Sequence, residues 1–157
     1  MDARKVGFKF IIYDINHETL AKHQAAYKDG PKSLISNCSA RGVQHAIISE
    51  LPKAELKARL EQMDMMNVFE RVRPWARKRE ATLKMIMVEF SAHEKAASIC
   101  YIGDLREGLE VAKKFGMTTV GFADGPDAVA SLASIAPANP DHTVNFFNEI
   151  LPIFGLG

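Results

Sequence analysis

The chain has 157 residues, a length that fits one domain, 1–157, able to bury its own core without staples. Twenty Lys and Arg stand against nineteen Asp and Glu for a formal net charge of +1, so overall charge points neither to nucleic acid nor to a membrane surface. The two cysteines, Cys38 and Cys100, lack the paired spacing of a zinc site and do not make a disulfide framework.

The opening MDARKVGFKFIIYD begins basic, but its apolar stretch is short and meets Asp14 before any cleavage-like site. No run approaches a membrane span, and the expectation is a mature cytoplasmic protein. A strand is predicted over Phe8 to Tyr13, running into the polar cluster Asp14, Asn16, His17, Glu18 and Thr19. The plain role of such a cluster is to cap the helix that follows, with Asp14 or Asn16 accepting from free N–H groups. Helices opening on proline follow at Pro31 to Arg41 and Pro52 to Met65, the second carrying Leu56, Leu60 and Met63 at helical spacing. Strands are expected at Val43 to Ile48, more weakly at Val68 to Val72, and at Ser98 to Ile102 and Thr118 to Phe122. Helical patterns fill Glu80 to Phe90, Arg106 to Phe115, Pro126 to Ile135 and Val144 to Phe154. Strands apolar throughout, alternating with helices, predict a three-layer α/β fold around a doubly wound parallel sheet.

In such sheets ligands bind beyond the carboxyl ends of the strands. The first strand ends on Asp14, the second on Ser49 and the fourth on Gly103 and Asp104, which gathers two carboxylates and a hydroxyl on one edge.

YDINHETL, AIISELP, a lysine in ARKREATL and YIGDLREGLEVAKKFGMTTVGFADG resemble, in order, the four motifs of the haloacid dehalogenase (HAD) superfamily, over nearly the whole chain. The resemblance implies a HAD-like, Rossmann-type fold and a Mg²⁺-dependent phosphatase-type hydrolase. Asp14 would be the nucleophile, splitting one displacement into two through an aspartyl intermediate. Ser49 and Lys78 would hold the phosphoryl group, with Lys84 as the alternative third-motif lysine. Asp14, Asp104 and the Asn16 backbone carbonyl would ligate Mg²⁺, whose oxygen-only shell such groups suit.

The departures weaken that machinery. Family phosphatases carry a second aspartate two residues after the nucleophile, and this chain has Asn16, whose amide cannot transfer the proton. General acid–base catalysis is worth roughly a hundred- to ten-thousand-fold. One residue is inserted in the turn, which either brings His17 or Glu18 toward that role, His17 being the better donor and acceptor near neutral pH, or leaves both side chains pointing to solvent in a turn that no longer needs a proton transfer. The fourth motif has Gly108 where a second acid is usual, with Glu107 beside it. Branches that cleave carbon–halogen or carbon–phosphorus bonds also lack the second aspartate, though they usually have a cap.

The intervals from Asp14 to Ser49 and from Ser49 to Lys78 are too short for a cap domain, so a capless site is expected. It is open to water and to bulky, even macromolecular, phosphorylated substrates, or shielded by a neighbouring subunit in a homo-oligomer. RVRPWARKRE sets five cations around Trp75, but the balanced charge favours a solvated connection over nucleic-acid binding. Met63, Met65, Met66, Met85 and Met87 are read as core filling, and His23, His45, His93 and His142 show no metal-ligand spacing. GFADG is either a substrate-touching loop or a turn. The rival to the hydrolase is a non-catalytic HAD-like domain that binds a partner or a phosphorylated ligand.

Overall fold

The computed structural model describes residues 8–26, 30–90, 96–125 and 128–155. In chain order they form β1 (Phe10–Asp14), α1 (His17–Ala26), α2 (Pro31–Ser39), β2 (Gln44–Ile48), α3 (Lys53–Gln62), β3 (Arg71–Arg73), α4 (Arg79–Phe90), β4 (Ile99–Gly103), α5 (Arg106–Lys114), β5 (Thr118–Phe122), α6 (Val129–Ile135), β6 (His142–Val144) and α7 (Ile150–Ile153). The six strands make one parallel sheet in the order β3-β2-β1-β4-β5-β6.

Apolar composition puts β1 at the centre. Every residue of FIIYD is buried, which only a strand covered on both faces requires. Alternation then sorts its side chains. Ile11 and Tyr13 join Cys100 and Ile102 of β4 on one face, packed under Leu20, Leu34, Ile35, Leu56 and Leu60 of α1 to α3. Phe10 and Ile12 join Ile99 and Tyr101 on the other, under Leu83 and Ile86 of α4 and Leu109 and Ala112 of α5. The same parity sends Asp14 to the α4/α5 side.

Two sequence expectations need correction. Val144 to Phe154 is not one helix, because Val144 ends β6, whose carbonyl accepts from Ala123 N at 2.9 Å. The chain stays extended at Phe146 before a 3-10 turn at Phe147–Glu149 and the short α7. Met85 is exposed on α4 while Met65 is buried, so the methionines fill the core only in part. Pro126 and His93 lie outside the described residues.

The reversal of strand order between β1 and β4 opens the sheet edge where Asp14 and Gly103 stand in register. Between β1 and β2 the described residues form only α1 and α2, and between β2 and β3 only α3, so no large cap domain covers that edge. No helix among the described residues is long and apolar enough to cross a membrane.

Candidate active site

A cleft of about 200 Å³ lies at this edge, lined by residues that include Asp14, Asn16, His17, Ser49, Glu50, Arg79 and Asp104. Asp14, at its floor, is 3% exposed. A carboxylate so buried needs a partner, and it has two. Arg79 grips it bidentately, Nε donating to Oδ2 at 2.6 Å and Nη2 to Oδ1 at 2.9 Å. The Tyr101 hydroxyl donates to Oδ2 as well. With three donors on it, the carboxyl is the anion of a buried ion pair.

Local structure explains how Arg79 arrives there. After β3 the chain is pinned to the end of β2, Trp75 N donating to Leu51 O at 3.0 Å and Ala76 N to Ser49 O at 2.8 Å. Trp75 takes a left-handed φ of 57°, costly for a bulky residue, with Arg77 over its indole at 5.2 Å. That turn starts α4 at Arg79 with its side chain inward.

Tyr101 arrives from β4 and fits because two glycines leave room for it. A Cβ on Gly103 would stand 2.7 Å from Tyr101 Cε1. One on Gly108 would overlap the Tyr101 hydroxyl and stand 2.7 Å from Asp14 Oδ2. Gly108 is therefore where α5 closes on the Asp14 cluster, and an acidic side chain has no space there while Tyr101 stays.

Burial raises the Asp14 carboxyl above the ordinary carboxylate value, against the hydrogen bonds and charge of Arg79 and the Tyr101 hydroxyl, which favour its anion. Burial also works against the Arg79 charge, but Asp14 outweighs it and the guanidinium pKa is raised. Burial, with the Asp14 charge adding to it, pushes Asp104 up to about 6, against the N–H of Asn16 that donates to its Oδ2 at 3.1 Å.

The sequence-predicted residues fare differently. Asp14, Asn16, His17, Ser49 and Asp104 all line the one cleft. Lys78 does not: it is exposed and lines a second surface cavity with Arg77, Lys84 and Glu107, a cavity that shares Arg79 with the cleft. Lys84 lies over Phe115 at 6.0 Å, so neither lysine is the cation on Asp14. That cation is Arg79, one position along, because a step of one residue at the start of a helix turns the side chain by about 100°. Asn16 caps α1: Oδ1 accepts from Glu18 N at 2.8 Å and its carbonyl from Leu20 N at 3.0 Å. His17, the first residue of α1, is largely buried at the cleft wall, Nε2 lying 4.0 Å from Glu18. Ser49 Oγ accepts from Leu51 N at 3.1 Å, which leaves its O–H to donate into the cleft.

Arg79, Tyr101 and the clearance at Gly108 escaped the sequence reading. The one available signal was a tyrosine in a buried strand with glycines two and seven residues on. The GFADG loop is a brace, since Asp124 takes His23 Nε2 at 2.6 Å and Lys22 Nζ at 3.1 Å and so ties β5 to α1. Arg71 and Arg73 both pair with Glu89, which takes two cations of RVRPWARKRE out of any nucleic-acid surface.

The donor set does not fit a divalent cation. Both Asp14 oxygens are held by a guanidinium, the Asn16 carbonyl opens the α1 ladder, and Asn16 turns its N–H toward Asp104. Among the described residues no group of three or more His, Cys, Asp or Glu could hold a metal ion.

The sequence matches the family model of the haloacid dehalogenase-like hydrolases over residues 2–122. No curated protein matches the chain by sequence. Among solved structures, a predicted phosphoglycolate phosphatase from Haemophilus somnus 129PT is similar with a TM-score of 0.73 at 15% identity, covering 94% of this chain and 98% of that one. The cobalt-bound deoxy-D-mannose-octulosonate 8-phosphate phosphatase of Haemophilus influenzae is similar at 0.65 and 20% identity, over 96% and 89%. A dehalogenase solved with an intermediate complex is similar at 0.63 and 22% identity, over 81% of this chain and 55% of that one. At these identities the likeness is one of fold.

Proposed function

The chain belongs to the haloacid dehalogenase-like hydrolases, and on that premise we propose that its cleft takes the phosphoryl group of a phosphorylated ligand and hydrolyses it slowly. The observation that carries this reading is Arg79 Nη1. It is buried and has no hydrogen-bond partner, though it pairs in charge with Glu50 Oε1 at 3.6 Å. A guanidinium N–H without a hydrogen-bond partner on a residue that lines a cleft is a donor for an oxyanion, and the Ser49 hydroxyl in the same cleft supplies a second. The phosphatases among the similar structures support the phosphoryl group as that oxyanion.

Asp14 is the attacking carboxylate of this reading. Its oxygen forms a bond to phosphorus as the bond to the leaving oxygen breaks, and water then cleaves the acyl phosphate. Two features slow the step. Arg79 and Tyr101 draw on the lone pairs that must attack, and Asn16 cannot protonate the leaving group, a loss of about 10²- to 10⁴-fold where that group is an alkoxide. His17 is the one imidazole among the described residues lining the cleft and takes the proton-transfer role in its place. Mg²⁺ is the metal implied by the resemblance, but the donors do not fit it, and the phosphoryl charge is met by Arg79. With no large cap over the edge, the phosphorylated group belongs to a bulky or macromolecular substrate.

An aryl phosphate, whose leaving group needs little protonation, tests the nucleophile alone. Slow hydrolysis that disappears in Asp14→Asn is expected, and equal rates in parent and variant would remove Asp14 from the reaction. The three donors already engaged with Asp14 favour a second reading, a non-catalytic phosphoryl-binding domain. Vanadate binding without Asp14-dependent turnover would establish it.

A further inference from the structure

We infer that Arg79, wedged in place with Tyr101, is a built-in substitute for a divalent cation, and that neutralising it opens a latent divalent-metal site between Asp14 and Asp104.

Four observations converge on it. The guanidinium takes one lone pair from each Asp14 oxygen and Tyr101 takes another from Oδ2, so of about four acceptor positions on the carboxylate most are filled. A dication approaching what remains would meet a fixed positive charge at contact distance, in a region of low dielectric where repulsion is poorly screened. The Asn16 peptide presents its N–H to Asp104, and its carbonyl is engaged with Leu20 N at 3.0 Å. At position 108 a Cβ would crowd both Tyr101 and Asp14 Oδ2, so no further oxygen ligand can enter from α5.

Arg79, Tyr101 and Gly108 thus act as one unit. The hydroxyl needs the glycine's clearance, and the bidentate grip of Arg79 leaves Oδ2 as the shared acceptor. What the unit does not remove is the pair of carboxylates that line the cleft, Asp14 and Asp104. With the guanidinium charge gone, two carboxylates in a small, partly buried cleft lack a counter-ion, and hard oxygen donors in that state recruit Mg²⁺ or Mn²⁺.

The test uses the full chain and Mn²⁺ alone, read by the loss of the free Mn²⁺ paramagnetic resonance signal. Wild type should leave the signal unchanged. Arg79→Met, which keeps much of the stem's volume without the charge, should bind Mn²⁺ at least about tenfold more tightly. Adding Asp104→Asn should abolish the gain. Mn²⁺ uptake by wild type that is lost in Asp14→Asn would overturn the inference, and so would a folded Arg79→Met that takes up none. Should circular dichroism show Arg79→Met unfolded, Arg79→Gln replaces it under the same criteria. Should both variants unfold, wild type decides, uptake dependent on Asp14 refuting and its absence supporting. No phosphate ester is present, so failure here leaves the hydrolase reading standing, and failure of turnover leaves this result standing.

Discussion

Replacing Asp104 by Asn should stabilise the protein at neutral pH. In the folded chain burial and the neighbouring Asp14 charge hold the Asp104 carboxyl at about 6, against an ordinary 3.8. The wild-type fold therefore grips that proton more tightly than the unfolded chain does. Its stability falls as pH rises from about 4 to about 6 and stays at the lower level beyond. A gap of about two pH units corresponds to about 3 kcal/mol, and because the group is partly open to solvent we expect about 1–2 kcal/mol. Asparagine removes the charge while its oxygen can still accept from Asn16 N, now at 3.1 Å from Asp104. For a chain of this length the gain is an increase of about 2–8 °C in Tm near pH 7.5, shrinking to nothing near pH 4. Scanning calorimetry of both proteins across that range measures it. An unchanged or lower Tm for Asp104→Asn at pH 7.5, or a gain that persists undiminished at pH 4, would refute the reasoning.

His45 should behave oppositely. Burial lowers its imidazole to about 4, so the stability it contributes is present above about 6.5 and is lost as pH falls toward 4, by about 3 kcal/mol. Urea titrations at acid and neutral pH should show a flatter profile for His45→Gln, and an unchanged acid limb would dissociate His45 from it. Gly108→Ala should destabilise by about 2 kcal/mol through overlap with the Tyr101 hydroxyl. Tyr101→Phe in the same chain should return part of that loss, with a coupling of about 1 kcal/mol, and strictly additive effects would dismiss the wedge.

The layers of the fold were legible because β1, β2, β4 and β5 are apolar runs bounded by polar turns, and β1 and β4 were buried on every residue as such runs demand. β6 was not, since two of its three residues, His142 and Thr143, are exposed and its strand conformation comes from pairing with β5 and from Asn145 bridging to Ala123 and Gly125. At the cleft, carboxylates and hydroxyl could be placed because strand ends fix position to within a residue. The cation could not. Between its alanine and glutamate ARKRE offers three consecutive cations, Arg77, Lys78 and Arg79, and only the strained turn at Trp75 decides that Arg79 faces inward while Lys78 faces water. Asn16 looked like a damaged acid and is also a helix cap, two roles that spacing alone does not separate.

The central place of β1 makes the cleft a late product of synthesis. Asp14 finds Arg79 65 residues on and Tyr101 87 residues on, while β1 gains its second neighbour only when β4 has emerged. At ribosomal rates of about 5–20 residues per second, that interval lasts roughly five to twenty seconds. Throughout it FIIYD is a greasy strand with an open edge, the kind of segment that seeks pairing with other nascent chains. Until Arg79 emerges the carboxylate at its end carries an unshared charge, the kind of group that guards an open strand against aggregation. The same side chain thus changes occupation as the chain lengthens, from keeping strangers off the first strand to anchoring the finished cleft.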